Sequence, residues 1–122
     1  MPRPIHFEIP VRDPEKAKEF YSKVFGWEFH KWDGPMEYWT ITTGPNSQPG
    51  INGGLMRKFD PAQPCVNTMD VENLDQAIET VLASGGAIAL PKMPVPGIGW
   101  LAYCKDIDGH IFGMMQNDAA AA

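Results

Sequence analysis

The chain has only two cysteines, Cys65 and Cys104, among 122 residues. Two thiols cannot staple a small secreted scaffold. They suit a reduced, cytoplasmic chain with buried thiols. Positive charge is also scarce: ten Lys and Arg against fifteen Asp and Glu leave a formal net charge of −5. No basic stripe is available for a phosphate backbone, which argues against nucleic acid as a partner. No apolar run approaches the roughly 20 residues of a membrane helix, and the N-terminus lacks a signal-peptide core. No membrane partner is expected. The common catalytic signatures are missing too, with no G-x-S-x-G and no GKS/T loop. The tripeptide Gly97-Ile98-Gly99 lacks the rest of a dinucleotide fingerprint. What is present is a hydrophobic fraction of 43% and a charged fraction of 20%, the make-up of one folded domain with a real core.

The chain also repeats itself. At an offset of 60 residues Val11 meets Val71, Ala17 meets Ala77, Gly26 meets Gly86, and Gly53 meets Gly113. A long-period repeat fixes the architecture before any local feature does. Each half opens with a strand: Ile5, Phe7, Ile9 and Val11 alternate with polar residues, and Pro64 to Val71 is the less regular counterpart. A helix follows. Asp13 caps the first with Pro14 at its first position, and Gly26 stops it. Asn73 with Gln76 caps the second, and Gly85-Gly86 ends it. Three strands are expected after each helix: Trp27 to Trp32, Tyr38 to Thr43 and Ile51 to Lys58, then Ala87 to Leu90, Trp100 to Lys105 and Ile111 to Gln116. The stretch Lys92 to Gly99 reads as a long loop, and Asp108-Gly109 as a hairpin turn. The expected fold is therefore α+β: two tandem βαβββ modules, residues 1–60 and 61–118, forming an open eight-stranded cup. Residues 119–122 read as a disordered tail.

The string Phe20 to Trp27, FYSKVFGW, resembles the FY…LGW signature of the vicinal oxygen chelate superfamily, which includes glyoxalases, bleomycin-resistance proteins and dioxygenases. The segment Asp106 to Gly113 resembles its DPDGN-x-F-G ending, and Gly53-Gly54 its glycine-bearing fourth strand. The resemblance implies a glyoxalase-like fold and, for chains of this size, a homodimer. It also implies a metal site built from a first-strand His and a fourth-strand carboxylate in each half, where a divalent ion polarises a vicinal pair of oxygens. His6 matches the first of those positions. Its mate at the internal offset is Val66, and the fourth-strand positions fall near Gly53 and Gly113. No Asp or Glu lies between Glu37 and Asp60, and none lies in the last strand. Neither a complete metal site nor any other cofactor is expected.

The reading that follows is a metal-free cup for a small organic ligand, of the bleomycin-resistance type. His6 and Glu8, two residues apart on one strand face, are its expected polar anchors. Trp39, Thr68, Trp100 and Met115 are the expected walls. The alternative is a lyase or isomerase, with a remnant metal at His6 or with Glu8 as general base. His30 and His110 read as surface residues. Most other aromatics read as core.

Overall fold

The computed structural model describes residues 2–122. The elements run β1 (Pro4–Val11), α1 (Pro14–Phe25), β2 (Glu28–Lys31), β3 (Tyr38–Thr42) and β4 (Asn52–Arg57). They continue as β5 (Val66–Asp70), α2 (Leu74–Ala83), β6 (Ala87–Val95), β7 (Gly99–Lys105) and β8 (Ile111–Asn117). The fold is α+β, with the βαβββ pattern occurring twice. The chain divides into two compact units, His6–Cys65 and Val66–Ala122, the latter joined by residues 2–5.

In the first unit the strand order is β2-β3-β4-β1, with β1 parallel to β4 and the other neighbours antiparallel. The second unit repeats it as β6-β7-β8-β5, with β5 parallel to β8. Both helices start where their caps dictate. Asp13 is extended and its carboxylate accepts from the Lys16 N–H at 3.2 Å, while Pro14 fills the first turn. Gly26 takes the left-handed conformation (φ 73°) that few other residues tolerate, and its N–H closes on the Ser22 carbonyl. Asn73 accepts from Gln76 N–H at 3.0 Å in the same manner.

Each helix covers one face of its own strands. Under α1 lie Trp39, Ile41 and Leu55, packed by Phe7, Ile9, Val11, Ala17, Trp27 and Phe29. Leu74 of α2 packs with Val71, Ala102, Cys104 and Met114 to form the second core. Period-2 alternation therefore sends Phe7 and Ile9 toward the helix and leaves His6 and Glu8 on the opposite face.

Four expectations need correction. The strand β6 runs on through Lys92–Val95, where a loop was expected. It pairs only with β7 and carries register shifts, so Pro91 and Pro94 sit on an edge where a missing N–H costs little. Residues 119–122, expected to be disordered, pack instead: Ala121 is 4% exposed and its carbonyl accepts from Gly97 N–H. Cys65 is exposed and precedes β5, whereas Cys104 is buried, and both are free thiols. The fourth strands align one residue away from the 60-residue offset. Glu8 stands opposite Gly54, and its counterpart Thr68 stands opposite Gly113. The equivalent glycines are thus Gly54 and Gly113.

The Asp106–Gly109 motif is accounted for locally. The Asp106 carboxylate accepts from the backbone N–H groups of Asp108 and His110, both at 2.9 Å, and Gly109 takes φ 86° to close the turn. Those bonds, the His110 N–H foremost, hold the Asp106 carboxyl below the usual range.

Candidate functional site on the first sheet

On the face of the first unit turned away from α1, three polar side chains meet. The Tyr38 hydroxyl lies 2.8 Å from His6 Nε2 and donates to Glu8 Oε2 at 3.3 Å. His6 and Glu8 come from β1, but Tyr38 comes from β3, with β4 between them. The residue that permits this reach is Gly54. A Cβ there would stand 1.7 Å from the Tyr38 hydroxyl oxygen and 2.1 Å from Cζ, so any side chain at 54 would displace the phenol. Trp32 supports the ring from the β2–β3 connection, edge-on with centroids 6.0 Å apart, and is itself seated over Gly34. Next to Tyr38, Glu37 is held by Arg57 Nε at 3.0 Å, and Arg57 also donates to the Arg12 carbonyl.

Burial sets the charge states. It lowers the His6 imidazole below its ordinary range, and the Glu8 charge only partly opposes this. It also pushes the Tyr38 phenol far above its ordinary range, aided by the charge and hydrogen bond of Glu8. At neutral pH the face therefore presents a neutral imidazole and a protonated phenol beside the Glu8 carboxylate.

The expected site residues fall into three groups. His6 and Glu8 are brought together, through a Tyr38 that sequence reasoning had assigned with the core aromatics. Thr68 and Met115 lie on the face of the second unit turned away from α2. Thr68 is 3% exposed, and its hydroxyl fills the space over Gly113, 2.7 Å from where a Cβ would be. Trp39 and Trp100 do not join either face. Trp39 is 7% exposed beneath α1, with the Lys18 amine 4.9 Å from its ring centroid. Trp100 packs against the α2 core and donates to Asp118 at 3.1 Å. The groove between α1 and β2, about 700 Å³ and lined by Lys16, Lys18, Glu19, Trp27 and His30 among others, is shallow and charged. It lies on the helix side, away from the His6 face.

The sequence and the fold agree with known proteins at this point. Residues 3–44 match the family described as bleomycin resistance protein-like N-terminal. A Vibrio cholerae protein named as a lactoylglutathione lyase is 27% identical, covering 98% of this chain and 94% of that protein. The glyoxylase CFP32 of Mycobacterium bovis is 25% identical over 89% of this chain, which spans 43% of that relative's length. In fold, a methylmalonyl-CoA epimerase from Mycobacterium tuberculosis superposes with a TM-score of 0.70, covering 93% of this chain and 87% of that one at 14% identity. The family match, the relatives and the fold all indicate the vicinal oxygen chelate superfamily, of the glyoxalase/bleomycin-resistance-like kind.

That superfamily implies a divalent metal, and the residues present do not fit one. In the first unit His6 stands opposite Asn52 and Glu8 opposite Gly54, and the Tyr38 hydroxyl fills the volume that a side chain at position 54 would take. His6 and Glu8 alone fall short of the three protein ligands of a typical catalytic centre. Among the described residues, no group of three or more His, Cys, Asp or Glu side chains is arranged to hold an ion. No described helix is long and apolar enough to cross a membrane.

Proposed function

We propose that this protein is a metal-free, small-molecule-binding member of the glyoxalase/bleomycin-resistance-like family, and that it works in the cytoplasm as a homodimer. Its ligand sits on the sheet face of the first unit turned away from α1, against His6 and Glu8. One observation carries this reading: the two side chains best placed to hold a metal are already joined through Tyr38. A hydrogen-bonded cluster of this type, part-buried and edged by an aromatic ring, orients an organic molecule rather than a hydrated cation. The relatives' names, glyoxylase and lactoylglutathione lyase, agree in pointing to small organic molecules.

A native mass spectrum of untreated protein tests this directly. The expected spectrum shows dimer mass without a bound divalent ion, and with a carried-over organic adduct where the ligand is abundant. A stoichiometric metal that disappears in His6→Ala would refute the reading.

A further inference from the structure

We propose that Tyr38 is the residue that anchors the ligand, donating its O–H to a ligand oxygen, and that the site takes an uncharged carbonyl compound in preference to an anion. This rests on the reading above that the His6 face binds a small molecule.

The geometry supplies the donor. A neutral imidazole has one N–H and a phenol has one O–H. The 2.8 Å contact between His6 Nε2 and the Tyr38 oxygen is a full hydrogen bond in which the imidazole can donate. The phenol proton is then directed to Glu8, but at 3.3 Å, well beyond the 2.7–2.8 Å at which O–H···O bonds cluster. A ligand oxygen approaching the same proton at ordinary distance makes the better bond. A phenol is protonated across the physiological range even unperturbed, and burial moves it further that way, so the donor is present whenever the ligand arrives.

The same geometry sets the ligand class. A carbonyl oxygen accepts the phenol proton without bringing a charge into the site. A carboxylate or phosphate in the same place would lie within a few ångströms of the Glu8 carboxylate, in surroundings that screen poorly. That charge is already felt by both neighbours, raising the Tyr38 phenol and pulling upward on His6. Trp32, edge-on to Tyr38, offers an apolar wall for the body of such a molecule. Gly54 is the positioning residue, since only a position without a Cβ lets the phenol cross β4 to reach β1.

The test uses three small probes of similar shape: acetophenone, benzoate and benzamidinium. Binding is read from the imidazole nitrogen shifts of His6 in labelled protein, with exposed His30 and His110 as internal references. Acetophenone is expected to titrate His6 saturably and benzoate to bind at least tenfold more weakly. Tyr38→Phe keeps the ring and should weaken acetophenone about five- to tenfold, the loss of one hydrogen bond. Gly54→Ala should do the same by evicting the phenol, and it guards against an idiosyncrasy of either variant. Benzamidinium binding no weaker than benzoate supports the charge argument. Benzoate binding as tightly as acetophenone overturns the ligand class. Acetophenone binding that survives unchanged in both variants overturns the role of Tyr38 alone. Absence of a saturable shift at His6 with every probe overturns this proposal and the binding reading beneath it.

Discussion

Replacing Gly54 by Ala is the smallest change that separates the site from the fold. The added methyl would lie 1.7 Å from the Tyr38 hydroxyl oxygen, far inside contact distance, and the ring cannot slide because Cζ is 2.1 Å away. Tyr38 must swing out. It loses hydrogen bonds to His6 and Glu8, roughly 1 kcal/mol each for part-buried partners. The edge contact with Trp32 goes as well, about 1 kcal/mol more. Against this, Gly→Ala stiffens the unfolded chain and returns about 0.4–1 kcal/mol. The net expectation is a destabilisation of about 2 kcal/mol, measured by urea unfolding followed by tryptophan fluorescence. A double-mutant cycle isolates the cause: in a Tyr38→Ala background the same Gly54→Ala change should keep only the unfolded-chain gain of about 0.4–1 kcal/mol, a coupling of about 3 kcal/mol. Equal costs in both backgrounds would refute the claim that Gly54 is required for the phenol to cross β4.

Three further outcomes follow from the same contacts. Leu74→Ala, at a fully buried position in the α2 core, should cost about 2–4 kcal/mol and lower the urea midpoint without changing the slope. Asn73→Ala removes the cap of α2 and should cost about 1 kcal/mol, with earlier thermal loss of helical circular dichroism. The His6 imidazole should titrate below the ordinary value of about 6.5 in an NMR titration. Since folding lowers its pKa, the unfolded chain takes up the proton first as pH falls. Stability should therefore be full above about pH 6.5 and decline below it, until the folded-state pKa is passed. That decline should be shallower in His6→Gln, and an unchanged profile would show that His6 is not the group responsible.

Much of this fold could be read from the sequence because its signals are local. Asp13 with Pro14, Asn73 with Gln76, and the glycine at position 26 each act within one helical turn, and each does what its chemistry predicts. The period-2 pattern of β1 correctly placed His6 and Glu8 on one face. What escaped was non-local. Tyr38 reaches across an intervening strand, and no property of residue 38 announces that. The available signal was Gly54, a glycine inside a strand, which often marks a close approach by another group. Trp39 and Trp100 could not be assigned to a face before the register of β3 and β7 was known, because one residue of slip reverses every side chain. The same one-residue slip separates Gly53, read from the offset, from Gly54, found opposite Glu8. The strand β6 was cut short because prolines signal a break, a rule that an edge strand escapes.

The reading most open to test is that the His6–Tyr38–Glu8 cluster holds no divalent metal. Its most direct test is titration of chelator-treated protein with Zn²⁺, Ni²⁺, Mn²⁺ and Fe²⁺, combined with elemental analysis of untreated protein. The account predicts no stoichiometric metal in the purified protein and only weak, non-saturating shifts at His6. One tightly held equivalent, lost in His6→Ala and unaffected by Tyr38→Phe, would contradict it.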